Sequence, residues 1–163
     1  MKKGTPILIV ALIIFFALTV GGIFLAFKIA SSKTTLTQDQ FISKLENKGF
    51  LANDDSEQFM QYDYITSVAV ASPSDLSYQI QFFTFLDESY AQKFYETNKS
   101  TFSRLASSDS PSVRTSGTGF DKFTVTTSNE FMEVSRIQNT CIYLKVDKAY
   151  KDDVKKALKS LGY

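Results

Sequence analysis

Two stretches of the chain place an aspartate three residues before a tyrosine, just where a strand-like pattern gives way to a helical one. They are FLDESYAQKFYETN, with Asp87 and Tyr90, and KVDKAYKDDVKKAL, with Asp147 and Tyr150. Brought together across a pseudo-twofold axis, the two carboxylates would hold a cation or share a proton. Apart, each would accept hydrogen bonds from the free amides of a first helical turn and face the positive end of a helix dipole. The second reading needs no long-range coincidence. It predicts two independent helix starts, with Tyr90 and Tyr150 opening apolar stripes that face the core.

Other residues offer interaction chemistry more than catalysis. Lys148, Lys151, Lys155, Lys156 and Lys159 make the last helical segment basic. Such a stripe is either a solvated face or a contact with anionic lipid or cell-wall polymer. Tyr62 and Tyr64 flank Asp63 and would line a ligand-binding edge, although tyrosine is also a good strand former. Glu130, Glu133 and Arg136 share a hairpin, where cross-strand ion pairs are worth under about 1 kcal/mol. Cys141 lies beside Ile142 and Leu144 and reads as a small buried hydrophobe.

Composition removes several classes of function. The chain has no histidine and one cysteine. Ser-His and Cys-His nucleophile pairs, most zinc sites and an internal disulfide are therefore out of reach. No Gly-rich phosphate loop or EF-hand loop is present. No catalytic, cofactor-binding or metal-ligating residue is assigned. Beyond residue 33 the chain carries 11 Lys and 3 Arg against 17 Asp and Glu, a net charge of −3. That is no footprint for nucleic acid, which needs a clustered basic surface.

The charge distribution also divides the chain. TPILIVALIIFFALTVGGIFLAF, residues 5–27, has no charged side chain. About 20 apolar residues in a helix cross a bilayer core of roughly 30 Å. A cleavable signal has a shorter apolar region, so an uncleaved transmembrane anchor is expected. Residues 1–4 form a short cytoplasmic tail. Lys2 and Lys3 before the span nearly balance Lys28 and Lys33 after it. The brevity of the tail therefore decides the orientation, with the C-terminal domain outside the cytoplasm. Ala17 and Gly21, and Gly22 and Ala26, form a small-residue patch through which two spans would pack as a homodimer.

Residues 28–35 read as a polar tether and residues 36–163 as the folded domain. Thr37-Gln38-Asp39-Gln40 is a capping box, with Leu36 and Phe41 as its hydrophobic staple. It opens a helix over about 38–48, and Gly49 is a left-handed cap. Residues 53–61 read as irregular. Alternation from Tyr62 to Val70 and from Tyr78 to Leu86 predicts two strands. The aromatic pattern of the second asks for cover on both of its faces. Tyr90, Phe94, Phe102 and Leu105 mark a long second helix, and residues 107–119 read as a loop. Three strands follow, over 120–127, 131–137 and 141–146, with turns at Ser128-Asn129 and Gln138-Asn139. Tyr150, Val154, Leu158 and Leu161 mark a third helix, ended by Gly162. The order is α-ββ-α-βββ-α. It predicts an α+β fold in which about five mostly antiparallel strands carry the three helices on one side.

The outline, with its MKK start, single span and compact domain ending in SRIQNTCIYLKVDKAYKDDVKKALKSLGY, resembles uncharacterised small single-pass proteins of Gram-positive bacteria. The resemblance implies this architecture and no activity. A cell-membrane protein with an extracytoplasmic, non-catalytic binding module is the expectation. An envelope protein would be its partner, and no cofactor is called for. The alternative is a small-ligand-binding or carboxylate-dependent enzymatic domain.

Overall fold

The computed structural model describes residues 33–163. The tail, the apolar span 5–27 with Ala17, Gly21, Gly22 and Ala26, and tether residues 28–32 lie outside the described residues. Among the described residues no helix is long and apolar enough to cross a membrane.

The elements run α1 (Gln38–Glu46), β1 (Leu51–Asp54), a 3-10 turn (Ser56–Phe59), β2 (Ile65–Ser72), β3 (Ile80–Phe85) and α2 (Glu88–Leu105). Then come β4 (Ser112–Gly117), β5 (Phe120–Thr126), β6 (Glu130–Ile137), β7 (Thr140–Asp147), a 3-10 turn (Lys148–Tyr150) and α3 (Lys151–Leu161). The fold is α+β: three helices on one seven-stranded antiparallel sheet of order β1-β2-β3-β7-β6-β5-β4.

Two expectations are corrected. The sheet has seven strands, not five, because β1 and β4 form its edges. β1 has only four residues, and every residue of β4 is exposed. Neither shows apolar alternation, since an edge strand can be held by its backbone ladder alone. The helices also cover both faces instead of one. On the front face α1 and α3 bury Phe41, Leu45, Val154 and Leu158 against Ile80, Phe82, Ile142 and Leu144. On the back face α2 buries Ala91, Tyr95 and Phe102 over Phe83, Phe85, Val134 and Cys141. The alternation in β3 forces this arrangement. Ile80 and Phe82 point forward and Phe83 and Phe85 backward, so an uncovered side would expose large aromatics to water.

Local signals set the helix ends. Thr37 and Gln40 form the reciprocal capping box, with Gln40 N donating to Thr37 Oγ1 at 3.2 Å and Thr37 N to Gln40 Oε1 at 3.0 Å. Gly49 at φ +84° and Gly162 at φ +92° turn the chain out of α1 and α3. At the β6–β7 turn the residue with positive φ is Gln138, at +50°, and not the asparagine beside it.

The pairing registers define two ends of the sheet. At one end lie the start of β2, the β3–α2 junction, the β4–β5 and β6–β7 turns, and the C-terminus of α3. Lys33, the first described residue, sits there too, its Nζ 5.0 Å from the centre of the Phe120 ring. This is the entry end. At the far end lie the β2–β3 and β5–β6 turns, the C-terminus of α2 and the N-terminus of α3.

Candidate functional site

The paired aspartates do not form a site. Asp87 follows β3 and Asp147 follows β7, and these two strands are antiparallel neighbours. Their C-terminal ends therefore lie at opposite ends of the sheet, separated by a strand of six to eight residues, roughly 20–26 Å at 3.3 Å per residue. Each aspartate caps alone. Asp87 Oδ1 accepts from Ser89 N at 2.8 Å and Tyr90 N at 3.2 Å. Asp147 Oδ1 accepts from Ala149 N at 2.8 Å and opens the 3-10 turn before α3, not α3 itself. The Ser89 hydroxyl, followed by the Tyr90 amide, holds the Asp87 carboxyl below its usual range. The stability it contributes is present above the ordinary carboxylate pKa of about 4, and is lost as pH falls through the lower folded value. Asp87→Ala and Asp147→Ala are expected to lower the denaturant midpoint additively, with Asp87→Asn close to wild type. Added divalent metal should shift none of these melts. Strong coupling between the two substitutions would restore a shared site.

The basic stripe does not converge either. Lys148 and Lys151 line a far-end groove of about 920 Å³ with Ser110, Thr126, Asn129 and Glu130. Lys151 and Lys155 lie over the Phe131 ring. Lys156 pairs with Asp153 at 3.2 Å. Lys159 lines a separate cleft by the entry end. The 3-10 turn and α3 spread the five lysines around their surface, where they meet four different surroundings.

The hairpin charges form cross-strand ion pairs, as expected, with partners on both neighbouring strands. Glu130 meets Lys145 at 3.1 Å, Glu133 meets Lys122 at 2.7 Å, and Arg136 meets Asp121 at 2.8 Å. Glu133, Arg136 and Asp121 are buried, so the last two pairs are structural parts of the interior and not surface decoration. Glu133 also accepts from Ser135 Oγ at 2.7 Å, and its Oε2 has no partner among the described residues.

Cys141 is fully buried, its thiol donating to Ala91 O at 3.4 Å. Burial pushes its pKa well above the ordinary range. With so little thiolate, an alkylating reagent should label it only after denaturation. Rapid labelling of the native protein would contradict this structure.

Tyrosines give the most definite surface features. Tyr62 and Tyr64 are not in a strand; they precede β2 at the entry end. Tyr64 stacks on Tyr90, with centroids 5.3 Å apart and planes at 15°, and Tyr62 lies 5.7 Å from Tyr64. Tyr90 is thus part of a surface cluster and not of the core, because the buried face of α2 runs through Ala91, Tyr95 and Phe102. Met60 and Leu86 are exposed near these tyrosines in the chain, and Leu86 N donates to Tyr64 O at 3.0 Å.

A second aromatic feature lies at the far end. Phe50, Tyr78 and Tyr150 form the wall of a groove of about 550 Å³, rimmed by Lys48 and Lys156 and by Asp75 and Asp153. Tyr78 meets Tyr150 at 5.3 Å and Phe50 at 6.2 Å between ring centres. Burial, with smaller contributions from Asp153 and Asp75, pushes the Tyr78 phenol up, so it stays protonated and able to donate. Sequence reading missed this groove. Phe50, the SPSDLS turn and Tyr150 are far apart in the chain, and only the α1 exit, the β2–β3 turn and the start of α3 bring them together. Among the described residues no group of three or more acidic or cysteine side chains is placed to hold a metal ion.

No family model matches the chain, and neither the search of curated proteins nor that of solved structures found a match.

Proposed function

We propose that the chain is a single-pass membrane protein, with its N-terminus in the cytoplasm and its folded domain outside. In this reading the domain is a non-catalytic binding module for a protein partner in the cell envelope. The anchor and orientation rest on the apolar run 5–27 and the short tail before it. The observation that carries the binding role is the groove between Phe50, Tyr78 and Tyr150, at the end of the domain opposite the point where the chain enters. Its volume lies in the ordinary range for ligand sites, about 300–1,000 Å³. Aromatic walls supply contact area at little cost in side-chain entropy, and a rim carrying both charge signs sets orientation.

The same groove contains two carboxylates, which favours a small polar ligand as the second reading. A carboxylate-driven reaction has less support. Asp75 is engaged by Ser77 Oγ at 2.7 Å, and Asp153 is paired with Lys156.

A photo-crosslinking side chain placed at Tyr150 in the full chain, irradiated in native membranes, tests the binding role. A discrete adduct from position 150 is expected, lost when Asp75 and Asp153 are both replaced by Lys. No such adduct should form from Val113 on the exposed β4 edge. Equal capture from both positions, or capture insensitive to the groove charges, would sink the reading.

A further inference from the structure

We infer that the far-end aromatic groove takes a proline-rich segment of the protein partner, in a polyproline II conformation, through a hydrogen bond from the Tyr78 hydroxyl to one of its carbonyls. This rests on the binding-module reading above and names the part of the partner that enters the groove.

An unused donor marks the site. Tyr78 is only 9% exposed, yet it lines the groove, and its hydroxyl has no hydrogen-bond partner among the described residues. The charges that act on it are those of Asp153 and Asp75, both groove residues, so the hydroxyl faces the groove and not the core. A buried phenol normally finds a partner. Here the partner has to come through the groove. It has to be an acceptor, because burial keeps the phenol protonated.

Charge then narrows the class of acceptor. Lys48 and Lys156 match Asp75 and Asp153 in number, so the rim calls for no net charge in the ligand. A carboxylate brought to Tyr78 would meet both aspartates as like charges. A peptide N–H would find each aspartate already holding a donor. Asp75 accepts from Ser77 N at 3.1 Å and Ser77 Oγ at 2.7 Å, and Asp153 accepts from Lys156 Nζ at 3.2 Å. The ligand that fits offers neutral carbonyls and few N–H groups, and a run of prolines has no backbone N–H at all.

Shape agrees. Phe50 and Tyr150 both pack on Tyr78, with ring centres 6.2 and 5.3 Å away and planes turned by 68° and 41°. Rings set at such angles make ridges with furrows between them, not a flat platform. The outer two rings are no further apart than those two distances together. One turn of a polyproline II helix, about 9 Å, is of the same length. Such helices dock in aromatic-lined grooves because they are preformed and lose little entropy on binding.

Full-length protein in detergent micelles would be titrated into fluorescein-labelled decaproline with blocked ends, and binding followed by anisotropy. Saturable binding is expected, with none to a blocked Gly-Ser peptide of the same length. Tyr78→Phe removes only the hydroxyl and should weaken binding about three- to tenfold. Its thermal midpoint should match wild type, because no internal hydrogen bond is lost. Tyr150→Ala, which removes one wall, should weaken binding further. Equal affinity of Tyr78→Phe and wild type overturns the proposal. So does equal affinity for the Gly-Ser peptide, or no saturation up to roughly 1 mM decaproline. Tighter binding of a blocked acidic peptide or of a neutral oligosaccharide also overturns it, and would give the groove to that ligand. The position-150 crosslink in native membranes separates the two readings. An adduct that excess decaproline abolishes supports both. An adduct that decaproline leaves intact keeps the binding module and removes the proline segment; loss of both adduct and peptide binding removes both.

Discussion

Asp121→Ala is expected to cost about 3–5 kcal/mol of stability, far more than removal of a surface ion pair, because it strands a buried guanidinium. Arg136 donates to Asp121 Oδ2 from Nε at 3.1 Å and from Nη2 at 2.8 Å, and both residues are buried on the back face of the sheet. With the carboxylate gone, Arg136 would keep the Gln138 carbonyl at 3.0 Å and a looser approach to Glu88 at 3.7 Å. The Glu88 side chain is mostly exposed, so it is worth at most about 1 kcal/mol in compensation. The double replacement Asp121→Leu with Arg136→Met should recover most of the loss, since it removes the charges together. Denaturant melts of the two singles and the double would decide the matter. A loss below about 1 kcal/mol for Asp121→Ala would mean that the pair is as wet as an ordinary hairpin ion pair.

That pair also shows where sequence reading stops. Arg136 and its hairpin were legible from alternation, and their charges suggested cross-strand pairing. Which partner each charge takes depends on register, and register is set by whole-strand pairing. Asp121 opposes Arg136 only because β5 lies beside β6 with Phe120 opposite Ile137. Local signals fared better. The Thr37–Gln40 capping box, Gly49, Gly162, the Asp87 cap and the two-faced pattern of β3 each depend on a few adjacent residues, and each is found in place. β1 and β4 were missed because an edge strand with no buried face leaves no hydrophobic signature. Tyr90 was misplaced because the buried stripe of α2 runs through Ala91, Tyr95 and Phe102, which leaves Tyr90 on its exposed flank. The far-end groove was invisible for the same kind of reason: its aromatic wall is assembled from three separate connections.

Phe82→Ala should be the other severe substitution, and its effect should be uneven across the domain. Phe82 is fully buried in β3, between Ala69 and Ile142 on the neighbouring strands. Its ring stacks on Phe41 of α1 at 4.9 Å and 14°, and meets Tyr163 edge-on at 6.4 Å. Truncating a buried phenylalanine costs about 3–5 kcal/mol, of which an aromatic pair contributes about 0.5–1.5 kcal/mol. α1 has little else to hold it. Its nine residues bury only Phe41 and Leu45, and a helix that short has no stability of its own in water. The sheet beneath has ladders on both sides of β3. Amide hydrogen exchange in Phe82→Ala should therefore rise most in α1, while β6 and β7 stay protected. Phe83→Ala, one residue along and facing α2, should loosen the back face and leave α1 protected. If both substitutions opened the domain uniformly, α1 would be an inseparable part of one cooperative core. If α1 alone opens with Phe82→Ala, it is a separate unit of local unfolding, held to the sheet chiefly through that ring.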